Sequence, residues 1–172
     1  MLRLSVLLGV LLLTVVPSAL AVLSEDASPL GVAPGDTDQA AARAAFHQGD
    51  WQGVVDHMAL VLGRRPWDDD AHNLMGFAYR KLRNYRQALV HYQRALDLNP
   101  HHRGVLEYLG EAYVDLGCLA QARETLARLE AACQRLARGS SNDWQAGCAE
   151  WHDLHEAITA YRGPIQPDCP LP

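Results

Sequence analysis

A cysteine and two histidines near the end of the chain are the best candidates for binding a metal ion. Cys148, His152 and His155 are spaced by four and then three residues in a predicted helix, so they share one broad face. Zinc prefers thiolate and imidazole ligands, but helical zinc sites usually add a dedicated ligand, as in the His-Glu-x-x-His pattern. The alternative interpretation is a structural cysteine beside two surface histidines. We favour that alternative and predict no metal site and no cofactor.

Two glutamates could perform acid–base chemistry. Glu107 and Glu111 are four residues apart and therefore neighbours on a helix, but we favour a solvated helix face as the explanation of such a pair. The sequence has no glycine-rich phosphate loop, nucleophile elbow or His-Glu-x-x-His pattern. We predict that the protein is not an enzyme and that its function lies in a surface.

Four cysteines suggest disulfides rather than redox chemistry. None of them lies in a Cys-x-x-Cys pattern, and an even number in an exported chain is typical of disulfide pairing. The four are Cys118, Cys133, Cys148 and Cys169.

The charge of the chain argues against a nucleic-acid partner. The 172 residues carry a formal net charge of -5, whereas binding to phosphate backbones normally requires a basic excess. Hydrophobic residues make up 49% of the chain, which is enough for the core of one ordinary domain.

The first residues have the pattern of a cleaved signal peptide. Arg3 precedes an apolar run from Leu4 to Val16, and Ala19-Leu20-Ala21 fits a cleavage site after residue 21. An uncleaved anchor or a buried helix is the alternative, but the run is short for a hydrocarbon core of about 30 Å. We expect a periplasmic or secreted protein without stable membrane insertion, and a flexible segment over 22–36.

The rest of the chain contains an internal repeat. Pro66 and Pro100 are 34 residues apart, and aligning the chain on them gives units at 35–68, 69–102 and 103–136. The middle unit carries the clearest signature, and the third repeats most of it. Its signature residues are Gly76, Tyr79, Ala88, Tyr92, Ala95 and Pro100, matched in the third unit by Gly110, Tyr113, Ala122 and Leu129.

This pattern resembles the tetratricopeptide repeat (TPR) family, and the chain looks like the small secreted TPR proteins of bacteria. The resemblance implies an all-α superhelix of helical hairpins over 37–162, with three repeats and a C-terminal capping helix. Trp151, Leu154, Ile158 and Tyr161 supply the apolar stripe of that last helix. The predicted helices are 37–48, 51–64, 69–82, 85–98, 103–116, 119–136 and 143–162. A proline-rich tail, 163–172, should be extended.

TPR proteins hold an extended peptide or a partner's helix on the concave face, which is lined by the first helix of each hairpin. By the repeat register, the resemblance implies a binding groove formed by Gln39, Arg43, Phe46, Asn73, Phe77, Arg80, Glu107, Glu111 and Val114. Phe77 alternatively packs under the N-terminal segment. One TPR subclass clamps the C-terminal carboxylate of cytosolic chaperones with cations. This chain departs from that pattern, because Glu107 and Glu111 would repel a carboxylate.

The leading hypothesis is an exported scaffold that binds a protein or peptide. The alternative is a thiol- or metal-handling protein that uses its cysteines and histidines, and an assembly subunit that stacks through its terminal repeats is a third possibility. We also predict a Cys133–Cys148 disulfide, because the two residues lie near the ends of adjoining antiparallel helices. The tail could bring Cys169 to Cys118.

Overall fold

The computed structural model describes residues 34–137, 147–167 and 169, with side chains from 37 to 135 and from 147 onward. The chain divides into two units, Met1–Gly31 and Val32–Pro172, and every described residue belongs to the second. The predicted signal peptide, most of the segment that follows it, the loop after residue 137 and four residues of the tail, 168 and 170–172, lie outside the described residues.

The described residues form seven α-helices and no strand. In chain order the helices are α1 (Pro34–Gln48), α2 (Trp51–Arg64), α3 (Asp69–Lys81), α4 (Tyr85–Leu98), α5 (Arg103–Asp115), α6 (Leu119–Ala137) and α7 (Ala149–Ala160). The all-α expectation is thereby confirmed.

Polar side chains cap the N-terminal ends of four of these helices. Asp50, Asp68, Asn84 and His102 each accept a hydrogen bond from the backbone N–H three residues further on. Such bonds satisfy donors that have no partner inside the helix. The caps stand at the starts of α2, α3, α4 and α5, so polar side chains set where these four helices begin.

The turn inside each hairpin has the same backbone geometry. Gly49, Arg83 and Gly117 stand at equivalent repeat positions and have φ of 72°, 59° and 77°. The next N–H donates back to a carbonyl five residues earlier, over 2.7 to 2.9 Å. This is a Schellman-type helix end, which requires a left-handed residue. It closes α1, α3 and α5 and starts the return helix.

The helices pack as three consecutive hairpins, α1–α2, α3–α4 and α5–α6, each stacked on the next. Helix α7 packs against α5 and α6 and buries Leu154 and Ile158 there. Leu154 lies over Gly110, where a Cβ atom would overlap its side chain. The expected cap on the last repeat is thus in place, and a small residue in α5 makes room for it.

Two helices differ from the prediction by more than one residue at an end. Helix α1 begins at Pro34, so residues 34–36 are helical rather than part of a flexible segment. Proline suits a helix start, because its missing N–H would have no helical partner there. Helix α7 is shorter than predicted, 149–160 instead of 143–162, because Cys148 has non-helical angles and Tyr161 is extended. No helix in the described part of the chain is long and apolar enough to cross a membrane.

Candidate partner-binding face

The nine residues predicted for the groove all lie on the first helices of the hairpins. We call the surface formed by α1, α3 and α5 the first-helix face. Arg43 is exposed there, Gln39 and Asn73 are partly buried, and Val114 is only 8% exposed within the core. Val114 therefore offers little surface to a partner. The Asn73 side-chain oxygen is buried and has no hydrogen-bond donor among the described residues.

A row of aromatic rings crosses this face. The ring centroids of Phe46 in α1 and Phe77 in α3 are 5.3 Å apart, and those of Phe77 and Tyr108 in α5 are 4.8 Å apart. Trp51 meets both phenylalanines edge-on at 5.5 and 5.7 Å. The aromatic row, Phe46, Trp51, Phe77 and Tyr108, thus links all three repeats through ring contacts.

Phe77 is the most enclosed ring of the row. Its exposure is 9%, and the Lys81 ammonium lies 4.9 Å from its ring centroid. The other rings that contact Phe77 come from the neighbouring repeats. Phe46, Trp51 and Tyr108 are each only partly buried. They supply the accessible apolar area of the row.

Arg80 joins the second repeat to the third. Its guanidinium forms ion pairs with Glu111 and, over 2.7 Å, with Asp115, both in α5. The Arg80 side chain is 11% exposed, and its two carboxylate partners raise its pKa despite burial. Arg80 and Glu111 were predicted as separate groove charges, but the structure pairs them with each other. The charges of Arg80 and Glu111 are therefore largely neutralised by ion pairs within the protein.

Glu107 lies in an acidic surrounding. Burial, and then the carboxylates of Glu111, Asp153 and Glu150, raise the pKa of Glu107 to about 8. Asp153 and Glu150 come from α7, and Arg103 lies 3.5 Å from Glu150. The end of the face formed by α5 and α7 therefore has acidic groups in excess, whereas Arg43 and Lys81 lie toward the first two repeats.

The cysteines lie in two pairs. The Cα atoms of Cys133 and Cys148 are 6.0 Å apart, and those of Cys118 and Cys169 are 5.7 Å apart, with the sulfur atoms of each pair adjacent. Both distances suit disulfides. All four cysteines are described and each lies in one of these pairs. The predicted Cys133–Cys148 bond stays a prediction for chemical mapping.

The structure does not bring the candidate metal-ligand trio of Cys148, His152 and His155 together around one point. Cys148 precedes α7 with its sulfur beside Cys133, while His155 stacks on Trp151 at 4.8 Å between ring centroids. The described residues contain no group of three metal ligands.

The repeat register missed Tyr108, Trp51 and Asp115. Phe77 stands three residues earlier in its repeat than Phe46 does, and Tyr108 three residues earlier than Phe77, so a strict 34-residue alignment does not connect the three rings. Three residues are nearly one helical turn, which keeps the rings on one face while the row runs diagonally. A search for aromatic residues displaced by one turn per repeat would have found it.

Comparison with known proteins supports the same architecture. The sequence profile named "Tetratricopeptide repeat" matches residues 69–102, the middle repeat. No curated protein sequence matches the chain.

Solved structures extend the likeness to about three quarters of the chain. The TPR2B domain of yeast Sti1, in a complex with an Hsp70 peptide, has a TM-score of 0.63 at 20% identity, covering 74% of this chain and 98% of that one. The first TPR domain of Spaghetti (RPAP3), bound to the HSP90 peptide SRMEEVD, has a TM-score of 0.56 at 16% identity, covering 73% and 94%. The Sgt2 TPR domain of Aspergillus fumigatus has a TM-score of 0.55 at 17% identity, covering 80% and 90%. These likenesses confirm the predicted fold, an all-α TPR superhelix of three repeats with a capping helix.

Proposed function

We propose that this TPR-fold chain is an exported, non-catalytic scaffold that binds a segment of a protein partner on its first-helix face. In this proposal the first-helix face is the concave surface of the superhelix. The similar solved domains in complex with Hsp70 and HSP90 peptides support a protein or peptide as the class of partner.

The observation that carries this proposal is the aromatic row. Rings that bridge three repeats form a rigid apolar surface, and aromatic side chains contribute strongly to binding because they bury large areas with few rotatable bonds. Phe77 serves as the fixed centre of the row. The partly buried Phe46 and Tyr108 on either side would contact the partner.

The charges of the face favour a basic or apolar segment over an acidic one. Glu107 lies beside the carboxylates of Glu150 and Asp153. The Arg80 guanidinium is already paired with two carboxylates of α5. A peptide such as SRMEEVD, which carries three acidic residues, would meet like charge there. A lysine or arginine of the partner would instead relieve the crowding of carboxylates. We therefore infer a partner segment that combines apolar and basic residues.

Export remains part of the proposal through the N-terminal segment. A signal peptide ending at Ala21 would deliver the mature chain to the periplasm or the medium, where the paired cysteines would be oxidised. Mass spectrometry of the protein from its native host should then find Val22 as the first residue. A cytoplasmic protein that retains residues 1–21 would refute this part of the proposal without affecting the binding face.

The binding proposal is tested with a peptide library of graded charge and fluorescence polarisation. We expect peptides with basic and apolar residues to bind and acidic versions of them not to. Tyr108→Ala and Arg43→Asp change the first-helix face and should alter affinity or charge preference at least several-fold. Phe77→Ala should weaken binding too, but it also removes a buried ring from between the repeats.

Arg86→Asp is the matched control. Arg86 is an exposed arginine of α4, a second helix, so its reversal changes net charge as Arg43→Asp does without touching the first-helix face. Circular dichroism checks that every variant is folded. Equal effects of the two charge reversals, together with unchanged binding by Tyr108→Ala, would place the partner site elsewhere.

A further inference from the structure

Two histidines on facing helices direct their ring nitrogens at one point. The Nδ1 atoms of His72 in α3 and His91 in α4 are 3.0 Å apart, and the ring centroids are 5.2 Å apart. These residues line a cavity of about 290 Å³ together with Val90, Gln93, Arg94 and Asp97. The cavity contains none of the residues predicted for the partner-binding groove, so it forms a separate feature of the middle repeat.

The second ring nitrogen of His72 fixes its tautomer. His72 Nε2 lies 3.3 Å from the carbonyl oxygen of Pro66, an acceptor only, so Nε2 carries the proton. The lone pair of His72 Nδ1 therefore points toward His91. A histidine that donates its far N–H to a backbone carbonyl has the arrangement usual for metal ligands, because that bond sets the ring orientation.

His91 is held in position as well. The Tyr79 ring stacks on it at 5.5 Å and 27°. Burial lowers the pKa of His91 to about 4, with a further contribution from His72, and burial also lowers the pKa of His72. Both imidazoles are consequently neutral near pH 7, which is the form that binds metals.

We propose that His72 and His91 chelate one divalent transition-metal ion of the borderline class, such as Zn²⁺, through their Nδ1 atoms. In the metal-free protein the His91 Nδ1–H donates to His72. On binding, that proton moves to Nε2 of His91 by exchange with solvent, so both Nδ1 lone pairs face the ion and the net protonation of the pair is unchanged.

The distance between the two Nδ1 atoms allows a metal ion to replace the hydrogen bond. Two nitrogens bound to Zn²⁺ at about 2.0–2.1 Å in tetrahedral geometry are about 3.4 Å apart, so the rings need to separate by only a few tenths of an ångström. No third protein ligand joins the pair within the described residues. The cavity gives water or a partner's ligand atom room for the remaining positions.

Charged side chains near the two histidines would act on a bound cation in opposite directions. Asp68 caps α3 and acts on His72 with a favourable field for a cation, and Asp97 lines the cavity. Arg94 acts in the opposite sense on His72, and its guanidinium is held over the exposed Trp67 ring at 4.9 Å. We therefore expect Arg94→Gln to strengthen metal binding.

The test is calorimetric titration of the untagged mature protein, with its cysteines oxidised, using zinc chloride. We expect one saturable equivalent, at least tenfold weaker binding in His72→Gln and in His91→Gln, and tighter binding in Arg94→Gln. His57→Gln is the matched control. His57 occupies the repeat position of His91, but it faces the Asp38 carboxylate at 3.7 Å instead of a second histidine.

Nitrogen-15 spectra of the histidine rings in the unmutated protein give a readout that does not depend on variants folding. Zinc should shift Nδ1 of both His72 and His91 and move the His91 proton from Nδ1 to Nε2. Absence of saturable binding, equal affinity in all the histidine variants, or unchanged ring tautomers at saturating zinc would overturn the proposal. The pair would then be a hydrogen bond and nothing more.

Discussion

At the scale of single residues, α3 has no room for even a methyl group at position 76. A Cβ atom built on Gly76 would lie 2.6 Å from Cε1 of Tyr92, whose ring is fully buried between the helices. The contact is with a rigid ring in the core, so the two helices would have to move apart. The close approach of α3 and α4 therefore depends on glycine.

We predict that Gly76→Ala lowers the free energy of unfolding by about 1–3 kcal/mol, the usual cost of overpacking, and that Gly76→Leu lowers it further. Gly63 in α2 is the control, because a Cβ atom there meets nothing within 4 Å. Gly63→Ala should raise stability by up to about 1 kcal/mol through helix propensity. Urea denaturation of the variants measures both effects. Equal stability of Gly76→Ala and the unmutated protein would contradict the tight crossing.

The raised pKa of Glu107 predicts how the stability of the protein depends on pH. Its folded-state pKa of about 8 exceeds the ordinary value of 4.5, so folding favours the protonated form. The stability that the protonated Glu107 carboxyl contributes is thus fully present below about pH 4.5 and is lost as pH rises through 8. We expect Glu107→Gln to raise the melting temperature at pH 8.5 and to change it little at pH 4.5. Glu156→Gln, at an exposed site of α7, should show no such pH-dependent gain.

Some residue positions follow directly from the sequence and others do not. Gly76 and Tyr92 are predictable, because their repeat positions fix where two helices cross. The His72–His91 contact is not predictable from periodicity, since it depends on how far each ring reaches across the α3–α4 crossing. Tyr108 was missed for a related reason, because the aromatic row drifts by about one turn from repeat to repeat.

At the scale of elements, α7 packs against the third repeat and begins beside one of the two cysteine pairs. Leu154 fills the space over Gly110, and Cys148 at the start of α7 lies beside Cys133 in α6. After α7, Tyr161 donates to the carbonyl oxygen of Pro164, and Gln166 N–H donates to Gly117 over 3.0 Å. The tail therefore lies on the α5–α6 turn, near the pair Cys118 and Cys169.

We predict that non-reducing peptide mapping of the protein from its native host will join Cys133 to Cys148 and Cys118 to Cys169. The bridges close segments with separations of 15 and 51 residues, for which the chain-entropy relation gives about 3 and about 4 kcal/mol of stabilisation. Reduction should therefore lower the melting temperature.

Paired serine variants separate the two bridges. Replacing Cys133 and Cys148 together should release α7 preferentially, whereas replacing Cys118 and Cys169 together should release the tail. Hydrogen exchange at α7 distinguishes these outcomes. A free Cys133, or Cys133 joined to Cys118 or Cys169, would refute the assignment.

The repeat period predicted helix positions well inside the array and less well at its ends. The starts of α2, α3 and α4 follow from N-cap side chains in the sequence, such as Asp50 and Asn84. The start of α7 follows instead from the non-helical backbone of Cys148. That constraint depends on packing against α6, which a local pattern of apolar residues does not contain.

At the scale of the whole repeat array, the apolar core is divided into two clusters of unequal size. One cluster of buried residues lies in the first repeat and α3, from Ala42 to Ala78, and a larger one runs from Ala88 in α4 to Ile158 in α7. Tyr79 packs against both clusters. Both cysteine pairs lie in the region of the larger cluster. The first repeat therefore depends mainly on its own small core and on its contact with α3.

This division predicts the order in which the protein opens. In repeat proteins each unit is stabilised chiefly by its neighbours, and the first repeat has a described neighbour on one side only. We expect native-state hydrogen exchange to show the slowest-exchanging amides of α1 and α2 opening at lower free energy than those of α5 and α6. Reduction of the cysteines should narrow this difference, because it destabilises the C-terminal part selectively. Uniform exchange across α1 to α6, before and after reduction, would show that the two apolar clusters unfold as a single unit and that Tyr79 and the aromatic row couple them fully.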